Sequence, residues 1–136
     1  MGDPECQPIL MRLDSDLYGY LLASYEGNLK DLPKISWKQE YAVCVVLASK
    51  GYPESYPKND KITGFENIQE NSFVFHAGTK KENENILSNG GRVLGVTALG
   101  LTLQNAIDNA YSACQKLDWK NKYHRNDIGK KGLSYL

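Results

Sequence analysis

The chain has 136 residues, of which 24% are charged and 41% are hydrophobic, a composition typical of one ordinary globular domain. Lys plus Arg and Asp plus Glu both number 16, and this formal net charge of zero argues against a general nucleic-acid-binding protein. No apolar run is long enough to span a bilayer and no signal peptide is recognisable, so we expect no membrane partner. Cys6, Cys44 and Cys114 have neither zinc-ligand spacing nor a disulfide framework. Buried free thiols and a cytoplasmic location are the simplest interpretation.

Apolar side chains recur at helical spacing near the N-terminus. The spacing predicts a short helix over residues 5–12 and a longer helix over residues 15–26. Asp14-Ser15-Asp16 is a plausible N-cap for the second helix, and Gly27-Asn28 is typical of its end.

The middle of the chain favours an antiparallel sheet. Residues 41–49 are apolar and rich in β-branched side chains, which predicts a strand buried on both faces. Further strands are predicted over residues 61–64, 72–79, 85–88 and 92–97. They suggest two successive hairpins, the second leading into Arg92. One covering helix follows, with Thr102 or Gly100 at its start and an apolar stripe formed by Leu103, Ala106, Ile107, Ala110, Cys114 and Leu117.

Catalytic chemistry is not indicated by any motif. The sequence has no nucleophile, base and orienting group at the spacing of a known catalytic motif. It also has no phosphate-binding loop followed by a helix. We interpret His76 as a hydrogen-bonded core residue and His124 as an exposed one. We therefore predict no catalytic residue, no metal site and no independent nucleotide site.

An anion-binding surface is the chemistry that remains. In Asn89-Gly90-Gly91-Arg92, the glycines allow close approach to the backbone, and the guanidinium suits a phosphate or carboxylate. Taken alone, such a stretch is more often a hairpin turn with a solvated cation. If the neighbouring strands pair as a hairpin, Lys80 lies at the same end of the sheet as Arg92, although Lys80-Lys81 is also typical of a solvated loop tip.

Other charged residues allow two interpretations each. Asp3 and Glu5 could contact an amine or a metal, or could simply begin a helix. Arg125 and Asp127 could form a salt bridge that fastens the tail to the domain.

Six stretches together resemble the phosphoribosylamine–glycine ligase family, specifically its C-terminal part. In chain order they are Gly2-Asp3-Pro4-Glu5-Cys6-Gln7, Ala48-Ser49-Lys50-Gly51-Tyr52-Pro53, Ile62-Thr63-Gly64, Phe75-His76-Ala77-Gly78-Thr79, residues 89–97, and Arg125-Asn126-Asp127-Ile128-Gly129. The resemblance covers essentially the whole chain. Six motifs in family order are far more specific than any one of them.

The resemblance implies an ATP-grasp ligase that joins 5-phosphoribosylamine to glycine, using ATP and Mg²⁺ or Mn²⁺, in de novo purine biosynthesis. In the family, the metal ligands and the ATP-grasp body precede the Gly-Asp-Pro-Glu motif. We therefore expect the chain alone to be inactive, to bind none of these cofactors by itself, and to need the N-terminal ATP-grasp portion as its partner. Exposure of the surface that meets this portion predicts self-association or partial disorder of residues 1–30.

The expected fold is α+β, a small β-rich barrel-like sandwich hybrid with a covering helix and an N-terminal helical segment. The resemblance implies that residues 1–30 end the ATP-grasp domain and that residues 31–136 form the C-terminal domain. It implies a substrate-phosphate contact at Arg92, supported by the Gly91 amide and Lys80. Asp3 and Glu5 are expected at the seam between domains, near the substrates.

Two alternatives compete with this interpretation. One is a stand-alone anion-binding or interaction module that reuses the fold. The other is the corresponding domain of a different ATP-grasp enzyme, against which residues 75–79 and 125–129 argue, because these motifs resemble the ligase family specifically.

Overall fold

The computed structural model describes residues 2–135. Met1 and Leu136, which begin and end the predicted domains 1–30 and 31–136, lie outside the described part. The helices are α1 (Cys6–Arg12), α2 (Leu17–Glu26) and α3 (Leu103–Lys116). The strands are β1 (Tyr41–Ser49), β2 (Lys61–Ile62), β3 (Ser72–His76), β4 (Thr79–Glu82), β5 (Asn85–Ser88), β6 (Arg92–Gly100) and β7 (Lys122–Tyr123). Short 3₁₀ turns occupy Leu29–Asp31, Phe65–Asn67 and Lys130–Tyr135.

The main sheet has the strand order β3-β6-β1-β7, with every pair antiparallel. One face packs under α3 and forms the core, to which the two central strands contribute Val43, Val45, Leu47, Leu94, Val96 and Ala98. The prediction that β1 is buried on both faces was wrong. Its other face, with Cys44 and Val46, is only partly buried, because the short helix α1 covers this side incompletely.

A second, three-stranded sheet has the order β2-β5-β4. Strands β4 and β5 form a hairpin around Asn83, which adopts the left-handed backbone (φ 54°) that such turns favour. The predicted succession of two hairpins was wrong, since β3 pairs with β6 rather than with its neighbour along the chain. Over residues 2–135 neither sheet closes on itself, so the barrel-like description is not confirmed, whereas the mixed helix and antiparallel-sheet class is.

The helices begin and end close to the predicted positions. Asp16 caps α2 by accepting from the backbone N–H groups of Tyr18 and Gly19, and Gly27 ends it in the left-handed conformation. Thr102 caps α3 through the Asn105 N–H at 3.1 Å. Ala23 is the one buried residue of α2, so this helix stands largely free of the core. None of the helices in the described part of the chain has the length and apolar character needed to cross a membrane.

The thiols differ in their surroundings. Cys114 lies on the buried face of α3, and this burial raises its pKa to about 12, so the thiol stays protonated near neutral pH. Cys6 and Cys44 are only partly buried, which corrects the expectation of three buried thiols. All three are free.

We predict that Gly64→Ala destabilises the fold by about 3 kcal/mol, measured by chemical denaturation. Gly64 has φ +92°, and a Cβ there would overlap the carbonyl oxygen of Lys116 at the end of α3. Gly27→Ala is the matched control, because Gly27 also has positive φ (+78°) but no atom within 4 Å of the added Cβ. It should cost only about 1 kcal/mol, from backbone strain alone. Equal losses in the two variants would contradict the steric explanation.

Candidate functional site

A β-bulge sets the direction of Arg92. Leu47 pairs with Leu94, but the next residue of β1, Ala48, pairs with Arg92, so Val93 is an extra residue in β6. Strict alternation would place Arg92 on the same face as Leu94, inside the core. The bulge turns Arg92 to the opposite face, where a charged side chain need not be buried without a partner.

Arg92 and Asp3 form an ion pair. Arg92 Nη2 lies 3.2 Å from Asp3 Oδ2, and Arg92 Nη1 donates to the Asp3 backbone oxygen at 3.0 Å. Both side chains are about half exposed, so the pair contributes at most about 1 kcal/mol to stability. The structure thus brings together two residues that the sequence singled out for separate reasons.

The glycine pair permits close packing within the protein. The ring of Tyr52 lies where a Cβ on Gly91 would be, and Gly90 faces the backbone of Gly78. Ser49 fixes the same turn, since its backbone N–H donates to the Gly91 oxygen at 2.8 Å and its hydroxyl donates to the Gly90 oxygen at 3.2 Å. Close approach to this backbone was predicted correctly, but the groups that approach it in the structure belong to the chain itself.

Lys80 lies in a different sheet from Arg92. It is in β4, opposite Leu87, and its ammonium nitrogen lies 2.9 Å from Glu82 Oε2. The hairpin expected to align Lys80 with Arg92 is absent from the described strands, because β4 pairs with β5 while β6 pairs with β3 and β1.

Glu5 lies apart from Arg92. It lines a groove of about 680 Å³ beside α1, together with mainly apolar residues, namely Pro8, Ile9, Trp37 and Tyr41. The groove that contains Glu5 is therefore separate from the Arg92–Asp3 ion pair.

A cavity of about 290 Å³ opens beside Arg92. Its centre follows from strand register, since Arg92, Ala48 and Tyr123 lie opposite one another across β6, β1 and β7. The small side chain of Ala48 leaves space between its two larger neighbours. Tyr52, His124 and Arg125 complete the polar part of the lining. Sequence reasoning missed this cavity, because it depends on pairing between strands far apart in the chain.

The loop after β7 is anchored to α3 by Tyr111. The Tyr111 hydroxyl donates to the Arg125 backbone oxygen and accepts from the Ile128 N–H, both at 2.9 Å. In the same loop Arg125 makes the predicted salt bridge with Asp127, through two contacts of 2.9 and 2.6 Å. This pair lowers the pKa of Asp127 and raises that of Arg125, chiefly through the hydrogen bonds between the two side chains.

The two histidines differ from their predicted surroundings. His76 is hydrogen-bonded to the Thr79 hydroxyl at 3.0 Å and stacks on Phe65, but it is exposed rather than part of the core. His124 is partly buried, because its ring packs beside that of Tyr111 with centroids 5.8 Å apart.

Comparison with known proteins agrees with the resemblance found in the sequence. The family model described as "Phosphoribosylglycinamide synthetase, C domain" matches residues 42–131. Phosphoribosylamine–glycine ligase of Rhodopirellula baltica is 44% identical, over 97% of this chain and 31% of its own length. The ligase of Synechocystis is 47% identical, over 97% of this chain and 32% of its own length.

Structural similarity extends to the same enzyme. The crystal structure of phosphoribosylamine–glycine ligase from Thermotoga maritima superposes with a TM-score of 0.79 at 31% identity, over 93% of this chain and 31% of that chain. The present chain thus spans about a third of the length of these relatives. Because the family model matches most of its residues, the chain belongs to the phosphoribosylglycinamide synthetase C-domain family.

Proposed function

We propose that this chain supplies the C-terminal, substrate-facing part of phosphoribosylamine–glycine ligase. The complete enzyme would make glycinamide ribonucleotide from 5-phosphoribosylamine, glycine and ATP, in the cytoplasm. Family membership supports the activity, and the one-third share of the relatives' length supports a role as part of a larger catalytic unit. The observation that carries the assignment of a site is the bulge at Val93, which presents Arg92 on an open face.

In the complete enzyme, bound ATP and a divalent metal would supply the phosphoryl group that activates the glycine carboxylate, and amide formation with phosphoribosylamine would release ADP and phosphate. Within residues 2–135, no three His, Cys, Asp or Glu side chains are grouped so that they could hold a metal. The described residues therefore do not fit the metal, and we propose that the metal and the nucleotide bind to the N-terminal portion, as the family resemblance implies. The part left to this chain is recognition of a substrate anion.

Arg92 is proposed to bind the substrate phosphate. Its planar guanidinium can offer two parallel donors to phosphate oxygens, which suits this ligand better than a point charge does. To free those donors, the Asp3 carboxylate would have to move from Arg92. Lys80 and the Gly91 amide belong to the same proposal in supporting roles, and Lys80 would first have to leave Glu82.

The N-terminal portion is proposed to dock on the face that carries α2 and the groove beside α1. Tyr18, Leu21 and Tyr25 of α2 are 70%, 61% and 90% exposed, which is unusual for large side chains of one helix. Glu5 lies in the groove beside α1, which supports a position at the seam between domains. In this proposal residues 1–30 end the ATP-grasp domain and residues 31–136 form the C-terminal domain.

A stand-alone anion-binding module is the second candidate function. It is favoured by the cavity beside Arg92, whose lining residues all belong to this single chain. Ligation by a Thermotoga maritima ligase whose C-terminal third is replaced by this chain separates the two candidates, because a stand-alone module would not restore that activity.

We predict that Arg92→Ala raises the KM for phosphoribosylamine at least about tenfold, because one charge-assisted phosphate contact is lost. The measurement uses the Thermotoga maritima ligase with its C-terminal third replaced by this chain. The KM for ATP and for glycine should change little.

Lys81→Ala is the matched control, since Lys81 is exposed and paired only with Glu84 at 3.9 Å. Lys80→Ala should raise the KM less than Arg92→Ala does. An unchanged KM for phosphoribosylamine in the Arg92 variant would remove this residue from the substrate site. An inactive chimera carrying the unmodified chain would contradict the ligase assignment itself.

We also predict that the isolated chain self-associates through α2 and that Leu21→Glu reduces this association. The physical reason is the charge introduced into an apolar contact. Sedimentation velocity measures the effect. Leu101→Glu is the control, because Leu101 is 83% exposed and belongs to the turn before α3, not to α2. A wild-type chain that stays monomeric would refute the prediction.

A further inference from the structure

The cavity beside Arg92 has the size and shape of a site for a small phosphorylated ligand. Arg92 and Tyr123 lie on strands separated only by β1, so their backbones are about 10 Å apart, two strand spacings. Ala48 forms the floor between them. The volume of about 290 Å³ is near the lower end of the range found for small-molecule pockets.

The charge of the lining favours an anion. Arg92 and Arg125 both line this cavity, together with His124, and none of the described residues in its lining is a carboxylate. Three other cavities of the described chain each contain at least one carboxylate, namely Glu5, Asp3, or Glu40 with Glu70. A ligand with negative charge is therefore better matched to this cavity than to those three.

Each arginine is held by an aspartate outside the cavity lining. Asp127 accepts from two of the five N–H donors of Arg125. The Asp3 backbone oxygen accepts from one donor of Arg92, and the Asp3 carboxylate forms an ion pair with Nη2 at 3.2 Å. The remaining donors are available to a ligand. The Asp127 pair restricts the rotamers of Arg125 before any ligand arrives, which lowers the entropy lost on binding, whereas Asp3 would give up its carboxylate contact with Arg92 to the phosphate.

The walls of the cavity suit a sugar ring. Tyr52 and Tyr123 each combine an apolar ring face with a hydroxyl that can donate or accept a hydrogen bond. Tyr52 is seated on Gly91, and Tyr123 is placed by its pairing with Ala48. A pentose can pack its carbon face on such rings and direct its hydroxyl groups to their polar edges.

From this arrangement we infer that the cavity is the pentose-phosphate pocket of the chain, with Arg125 as a second phosphate ligand across Ala48 from Arg92. The inference rests on the proposed function, and it adds Arg125, the two tyrosines and Ala48 to the site. Asp127 acts as a positioning residue for Arg125. The ligand class is a pentose 5-phosphate, in which the phosphate bridges the two guanidinium groups.

Titration of the full 136-residue chain with ribose 5-phosphate, followed by NMR, tests this inference. The backbone amides of Ala48, Tyr123 and Arg125 should shift, together with the Arg125 Nε–H resonance, which a purely structural role would leave unmoved. Ribose alone and inorganic phosphate are separate probes. Each should bind more weakly than the ester, because each lacks half of the proposed contacts.

Arg125→Gln should weaken ribose 5-phosphate binding at least about tenfold, because a charged phosphate ligand is lost. Ala48→Val should have an effect of the same size, because the larger side chain would occupy the space between Arg92 and Tyr123. Asp127→Asn should weaken it less, because the Arg125 charge remains. Lys131→Gln is the control for loss of a positive charge near the C-terminus, and its affinity should stay within about twofold of the wild-type value.

The outcomes separate this inference from the proposed function. If Arg92→Ala raises the KM of the chimeric ligase while Arg125→Gln and Ala48→Val leave ribose 5-phosphate binding unchanged, the second-ligand assignment is overturned and the role of Arg92 stands. Absence of any shift at about 10 mM ribose 5-phosphate also overturns the inference. Equal binding of inorganic phosphate and the ester would overturn the pentose part of it.

Discussion

The bulge at Val93 in β6 determines which face of the main sheet carries the Arg92 side chain. Val93 interrupts the alternation of β6, so Arg92 leaves the face that carries Leu94 and Val96 and emerges on the opposite one. In the core a guanidinium without a partner would cost several kcal/mol of unfolding free energy. On the open face it meets Asp3, which attaches the N-terminal segment to the sheet. The site and the fold therefore depend on the same irregularity.

Close backbone packing around this bulge makes the adjacent cavity possible. Gly78, Gly90 and Gly91 stand where any Cβ would overlap a neighbouring backbone or the Tyr52 ring. Gly91 allows the Tyr52 ring to approach the turn that leads into Arg92, while Gly78 and Gly90 allow the two backbones of that turn to pack on each other. At the next strand the small Ala48 leaves room between Arg92 and Tyr123. In the proposed site, small residues would contribute the space they leave, and the arginine and tyrosine side chains would contact the ligand.

Local features were predictable from the sequence, whereas strand partners were not. Helix α3 has a clear apolar stripe and a Thr102 cap, and α2 has an Asp16 cap and a terminal glycine, so both were anticipated closely. These signals lie within one element. The pairing of β3 with β6, and the second sheet that holds Lys80, depend on contacts between distant segments, and alternation of side chains cannot choose among partners.

The same limit applies to the candidate site. Arg92, Asp3 and Glu5 were singled out from the sequence, but the pairing of Arg92 with Asp3 requires a contact across 89 positions of the chain. Tyr111 was anticipated by no motif, although its hydroxyl holds the loop that carries Arg125. The prediction that His76 belongs to the core failed because β3 is an edge strand of the main sheet, so a residue at its end can face solvent.

The placement of α1 links the two surfaces proposed to carry function. This helix packs on β1 and β6, it is followed by the exposed helix α2, and it is preceded by Asp3 at Arg92. In the proposed enzyme, a partner domain seated on α2 would therefore also fix the segment that competes with phosphate for the guanidinium. Because Asp3 and Arg92 are about half exposed, their ion pair is weak enough to exchange for a phosphate contact without unfolding the sheet. Residues 3–12 would then connect the two events, because substrate binding would displace Asp3 at the start of this segment and domain docking would hold α2 just after its end.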